Sequence, residues 1–246
     1  PFLSSQKKAH IILTLLVMAI IKNTEQLRLL RLMSLMSPTL PIGGFSYSQG
    51  IEKAVEDRWI VDMDTSYQWL RGQLYCGVAY TDLPILRMLY DACDCGNKDG
   101  ALRWSKILLA CRETSELRQE EVNRGRALTK VIEGLEDSIT DGWENIINTN
   151  YLSGLALIGT YWKIPISELL LGYSWSWLEN QVSAVVKIIP LGQTQGQQLL
   201  HKLLELVPDI IKQSMLLEEF DIGRSQPALA IASSLHETQY TRIFRS

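Results

Sequence analysis

The 246-residue chain predicts an all-α fold: a single compact multi-helix domain with a flexible C-terminal tail. Three observations carry this prediction. Apolar residues recur at helical spacing almost throughout. No stretch alternates apolar and polar residues over a convincing strand length. There is no internal repeat and no domain linker, so the helices share one core, packed ridge into groove. Hydrophobic residues make up 46% and charged residues 21%, enough apolar surface for such a core. The domain reading is 25–220 for the helical body and 221–246 for a partner-binding tail, with 1–24 set apart.

The elements follow in order. "TEQLRLLRLMSLM" (24–36) places Leu27, Leu30 and Met33 or Ser34 on one face, with Thr24 as a cap, and Pro38 and Pro41 stop the helix. Gly43 and Gly44 permit a sharp turn, and Ser46 or Ser48 caps a short helix over 49–58. Thr65 and Gln68 read as a capping box ahead of Tyr67, Leu70, Leu74 and Val78. Thr81 or Asp82 caps the next helix, with Pro84 in its first turn. A turn cluster, "DCGNKDG" (94–100), precedes Trp104, Leu108 and Cys111 at helical spacing.

"RETSELRQEEVNRGR" (112–126) is dense in both charges, with Glu120 and Arg124 at i,i+4. It reads as a solvated helix face, with a docking face as the sharper reading. Gly154, Ala156 and Gly159 permit close helix approach in 149–161. "SELLLGYSWSWLENQVSAVVKIIP" (167–190) is apolar nearly all round and predicts a central helix, with Trp175 and Trp177 in the core. The stretch 193–220 is amphipathic, with a kink or break at Pro208. From 221 onward periodicity is weak, and "TQYTRIFRS" mixes aromatic, aliphatic and arginine residues as interfaces do. This tail is expected to be loose alone and ordered by a partner.

Composition narrows the function. A net charge of −3 gives no footprint for nucleic acid. The apolar run Ile11–Ile21 falls short of the ~20 residues that span a bilayer, and no small-x-small cleavage site follows it. It is read as a non-native or accessory extension, and no membrane is expected. Cys76, Cys93, Cys95 and Cys111 do not form a disulfide framework, so the chain reads as reduced and cytoplasmic. No P-loop or dinucleotide fingerprint fits Gly43, Gly44 and Gly50. Ser46 or Ser48 with His236 is the one candidate for a serine hydrolase, and it lacks the Gly-x-Ser-x-Gly elbow. Cys93, Cys95 and His236 are the candidates for a nickel carrier, from only three histidines in the chain. "SPTLPIGGFSYSQGIE" (37–52) is then a rigid turn presenting Phe45 and Tyr47, either as partner anchors or as plugs of the chain's own core.

Four separated blocks resemble the F-type urease accessory proteins, UreF: "LPIGGFSYSQGIE" (40–52), "LACRETSELRQEEVNRG" (109–125), "VKIIPLGQTQGQQLL" (186–200) and "AIASSLHETQYTRIFRS" (230–246). The resemblance runs from Glu25 to Ser246 in family order. It implies an all-helical, homodimeric, non-catalytic protein without a cofactor. Such a protein assembles with a UreD/UreH-type accessory protein and the UreG GTPase on apo-urease, in support of nickel insertion. The implied partner-binding residues are Pro41, Gly43, Gly44, Phe45, Tyr47, Ser48 and Glu52 in the loop, and Asp82 and Lys187 beside it. In the tail they are His236, Gln239, Tyr240, Arg242, Phe244 and Arg245.

Overall fold

The computed structural model describes residues 24–135 and 138–246. The run 11–21, and with it the reading of the N-terminal extension, lies outside the described residues.

Helix α1 (24–36) ends before the prolines as predicted, but it buries a different face. Leu32, Leu35 and Met36 are buried, whereas Leu27, Leu30 and Met33 are exposed. Both sets recur at helical spacing. The neighbour decides between them, because Gly172 lies so close to α1 that a Cβ there would stand 2.9 Å from Leu32 and from Met36.

A 3₁₀ turn (Gly44–Ser46) leads to α2 (Ile51–Glu56). Helix α3 (Met63–Gln73) starts earlier than the Thr65 cap predicted. Its cap is Asp62, whose carboxylate accepts from the Thr65 amide at 2.9 Å, while Thr65 Oγ1 accepts from the Asp62 amide at 3.0 Å. A carboxylate at a helix N-terminus gains from the dipole as well as from the bond.

No cap interrupts the chain at Thr81 or Asp82. A π-helical segment (Leu74–Asp82) joins α3 to α4 (Leu83–Asp94) in one rod. Thr81 Oγ1 instead donates to the Arg224 carbonyl at 2.9 Å. The turn at 95–97 gives way to α5 (Lys98–Ala110), capped by Asn97, whose side chain accepts from the Gly100 amide.

Helix α6 (Ser115–Leu135), the short α7 (Glu144–Ile147) and α8 (Tyr151–Tyr161) complete the middle of the chain. Helix α8 is almost wholly buried and lies against both α4 and α6. The predicted close approach is present: a Cβ on Gly154 would stand 3.0 Å from Leu128, and one on Gly159 2.8 Å from Leu169. Helix α9 (Ile166–Ile188) runs through the centre. Trp177 is buried there, but Trp175 stands at the surface.

Helix α10 (Gln193–Leu204) and α11 (Val207–Ser214) meet at a break, with Pro208 in the first turn of α11 as predicted. Among the described residues there is no strand, and no helix is long and apolar enough to cross a membrane. All four cysteines are free thiols.

The tail is not loose in this structure. A short 3₁₀ turn (Glu219–Asp221) is followed by helix α12 (Pro227–His236), which begins with a proline in its first turn, a position that needs no backbone donor. Helix α12 lies on α2. Gly50, at φ +79°, makes this contact possible: a Cβ there would be 3.2 Å from that of Ala232.

Candidate partner-binding site

The loop, α2, α6, α9 and the tail converge on one clamp. Gly43, at φ +72°, turns the chain so that the 3₁₀ segment faces α9. The tail then crosses the loop, bending at 240–241 and again at 243–244. Arg245 donates its backbone N–H to the Ser46 carbonyl at 2.9 Å. Ser48 donates both its backbone N–H and its hydroxyl to the Ser246 carbonyl, each at 2.7 Å. Glu52 accepts the Ile243 amide at 2.7 Å and the Phe244 amide at 2.9 Å. One carboxylate therefore satisfies two successive tail amides, that of Phe244 in a buried setting.

Phe244 is buried by this docking. Above it sits exposed Lys187, whose Nζ lies 5.6 Å from the Phe244 ring centroid and 5.7 Å from that of Phe45. An ammonium between two ring faces is attracted by both. It also shows how a lysine at the end of an apolar helix is accommodated.

His236 is fully buried beneath the clamp. Its Nδ1 lies 2.6 Å from Glu116 Oε2 and its Nε2 3.3 Å from Glu52 Oε2. Arg242 completes this layer through an ion pair to Glu116. The Glu237 carboxylate accepts from the backbone and hydroxyl of Ser115, bonds that hold its pKa below the usual carboxylate range.

Deeper in, the charged block of α6 forms a buried network. Arg112 donates to Asp82 at 2.8 Å and to Glu121 at 2.6 Å, and Tyr173 donates its hydroxyl to Asp82 at 2.6 Å. Arg124 and Gln49 both donate to Glu120, at 3.0 and 2.9 Å. Gln49 also accepts from the Trp177 indole at 3.0 Å, and Ser246 donates its hydroxyl to Glu120 at 3.2 Å.

Burial pushes the Asp82 carboxyl up, against the pull of Arg112, and pushes Glu120 up against Arg124. For Arg112 burial works to lower the pKa, but Asp82 and Glu121 more than offset it and keep the guanidinium well above its ordinary value.

The predicted residues thus divide. Pro41, Phe45, Lys187, Tyr240, Arg242 and Arg245 lie at the surface, with Gly43, Gly44 and Gln239 partly covered. Tyr47, Ser48, Glu52, Asp82, His236 and Phe244 do not face outward as the sequence reading has them; all six are buried within this chain. The two loop aromatics part company: Tyr47, 5% exposed, plugs the chain's own core with its hydroxyl accepting from Asn123 at 3.2 Å, whereas Phe45 is 58% exposed.

Asp82 belongs to the Arg112 network, because a carboxylate so deeply buried needs a cation more than a surface. The block 112–126 is neither a solvated face nor a docking face over Glu120, Glu121 and Arg124, which are buried. Their neighbour Gly125 explains why: a Cβ there would stand 2.7 Å from the Asn150 backbone, so α6 presses this face against the start of α8.

Sequence reasoning missed Gln49, Glu116, Glu121 and Trp177. The spacing of Glu116, Glu120 and Arg124 at i, i+4 and i+8 was a usable signal, since it places them in one row on the helix. Gln49 carried none, being a turn residue held at φ +49° by its two side-chain bonds.

Other chemistries find less here. Ser48 bonds the tail carbonyl and both nitrogens of His236 face carboxylates, so no serine–histidine pair forms among the described residues. Burial pushes the Cys93 thiol up to about 12, which disfavours the thiolate that a soft metal needs. Among the described residues no group of three or more His, Cys, Asp or Glu side chains is arranged to hold a metal ion.

Known proteins point the same way as the four sequence blocks. The profile of the UreF family matches residues 60–204. The chain is similar to the urease accessory protein UreF of Pseudomonas putida strain W619, at 46% identity over 222 residues, covering 90% of this chain and 99% of the relative. It is also similar to UreF of Pseudomonas entomophila, at 46% over 224 residues covering 91% and 100%, and to UreF of Klebsiella pneumoniae strain 342, at 42% over 217 residues covering 88% and 97%. With more than half of the chain inside the profile and nearly full-length relatives well above 30% identity, the chain belongs to the UreF family of urease accessory proteins.

Proposed function

We propose that this protein serves urease maturation as a non-catalytic, cytoplasmic scaffold. In this role it is homodimeric and binds the UreG GTPase and a UreD/UreH-type accessory protein on apo-urease, regulating the GTPase while nickel is inserted. Family membership supports the maturation role. The observation that carries the finer reading is the clamp itself. It keeps Phe45, Lys187, Tyr240, Ile243 and Arg245 at the surface, over the hydrogen bonds that tie the tail to Glu52. Exposed aromatic and basic side chains on a fixed support are what interfaces use as anchors.

The test is size-exclusion chromatography of the purified chain with the D/H-type protein, UreG and GTP. A defined complex is expected for the wild type. The Phe45→Ala, Lys187→Ala double variant should keep its helical signal and lose UreG at least tenfold in apparent affinity. No complex with the wild type, or an unchanged one with the variant, overturns the reading.

A further inference from the structure

The end of α12 away from the clamp borders an open cavity of about 370 Å³. Trp59, Asp64, Thr65, Gln68, Trp69 and Gln226 line it, where the first turns of α3 meet the residue before α12. Trp69 belongs to the core and is only 7% exposed. Trp59 follows Arg58, a left-handed residue at φ +62°, and stands 41% exposed. Its ring centroid lies 6.2 Å from that of Trp69, the planes tilted by 43°. A surface indole therefore leans on a buried one.

Three groups at this cavity lack a partner among the described residues. The Trp69 indole N–H is covered and meets no acceptor, and Gln226 Oε1 is covered and meets no donor. The Gln226 amide lies across α3 at Gly72, where a Cβ would stand 2.7 Å from Gln226 Nε2; Gly72 is one turn beyond Trp69. The exposed Asp64 carboxylate forms no ion pair with a described residue.

The ligand is the complement of these groups. The indole N–H calls for a carbonyl, Gln226 Oε1 for an N–H, and the carboxylate with an open indole face for a cation. A basic peptide carries all of them. Its arginine can stack on an indole and pair with a carboxylate at once, which the compact ammonium of lysine does less well.

We propose that this cavity takes an arginine of a partner protein, its guanidinium against Trp59 and Asp64 and a main-chain carbonyl accepting from Trp69. The part-buried Gln226 side chain makes no hydrogen bond with a described residue, so it turns outward to admit the ligand and accepts from it. The surroundings attract a cation: Lys53 engages Glu56 and Asp57, and Asp62 and Asp64 outnumber Arg58, so the rim is net negative. The volume lies at the low end for ligand cavities and suits one long side chain with its peptide unit. The site stands whether or not the clamp binds UreG.

The experiment is a heteronuclear NMR titration of the full chain, read at the tryptophan indole N–H signals. The probes are the capped peptide Gly-Gly-Arg-Gly-Gly and its glutamine counterpart Gly-Gly-Gln-Gly-Gly. Trp69→Phe identifies the Trp69 signal by its loss. That signal should move saturably with the arginine peptide and bind the glutamine peptide at least tenfold more weakly. Asp64→Asn changes one exposed side chain, so circular dichroism should stay the same while the preference for arginine falls severalfold. Trp59→Ala should weaken both peptides.

A Trp69 signal that moves with neither peptide, or equally with both, overturns the inference. A shift that Asp64→Asn leaves unchanged places the guanidinium elsewhere and overturns it too, even where Trp59→Ala fails to fold. Phe45 and Lys187 lie outside this cavity, and the chromatography above tests them separately.

Discussion

Replacing Glu52 by alanine removes the acceptor for two tail amides. Each is a hydrogen bond to an ionised carboxylate, at 2.7 Å from Ile243 and 2.9 Å from Phe244. Such bonds contribute about 1.5–3 kcal/mol each, so the docked tail loses roughly 3–6 kcal/mol. At 1.4 kcal/mol per tenfold, the undocked population rises by about 10² to 10⁴. Native-state hydrogen exchange reads this directly, because amides that open locally report the local equilibrium. The amides of Ile243 and Phe244 should exchange faster by that factor. Amides in α8, which open only with the whole fold, should change far less. Glu56→Ala serves as a control, since Glu56 pairs with Lys53 at the surface. If protection at Ile243 and Phe244 stays within tenfold of wild type in Glu52→Ala, Glu52 is not what holds the tail, and the clamp as described is wrong.

Two further outcomes follow from the buried charges. Arg112→Met leaves Asp82 and Glu121 without their shared cation; breaking a buried pair costs about 3–5 kcal/mol, and the melting temperature should fall by roughly 6–20 °C. A circular dichroism melt within 3 °C of wild type would sink this account of the network. The Asp82 carboxyl has its pKa raised by burial, so its proton is held more firmly in the folded state than in the unfolded one. Its contribution is complete below the unfolded pKa of about 4 and is lost as pH rises through the folded value. The melting temperature of wild type minus that of Asp82→Asn should therefore fall from about pH 4 to pH 7, and a rise in this signed difference with pH contradicts the assignment.

Much of the fold was legible because helix breaks are written locally. The break at Pro208 falls where the sequence puts it, the turn at 95–97 lies within the predicted 94–100 but is shorter, and Gly154 and Gly159 make the close contacts their lack of a side chain suggests. What was hidden depended on neighbours distant in sequence. Nothing within 24–36 says that Leu32 and Met36, rather than Leu27 and Leu30, meet a glycine on a helix more than a hundred residues away. The same holds at the site. Phe45 and Lys187 lie at the surface as the resemblance implied, but Glu52 read as a surface acid because its partners are backbone amides, which have no sequence signature. The block 112–126 looked solvated because opposite charges along a helix usually are. The burial of Glu120, Glu121 and Arg124 follows from Gly125 against Asn150, a contact visible only in three dimensions, while Glu113, Arg118 and Arg126 are exposed as that reading expects.

The widened turn at Leu74–Asp82 has a consequence for how this chain tolerates change in length. A π-helical segment amounts to an inserted residue absorbed without breaking the rod. It acts as a phase shifter: α3 upstream is aligned to α10, and α4 downstream to α8. Deleting one residue there would let the rod relax to regular winding with α4 near its present phase, whereas the same deletion inside α4 would rotate the residues beyond it by roughly 100°. A single-residue deletion at an outward position of this stretch should therefore be far less damaging than one in the regular winding of α4, which packs on α8.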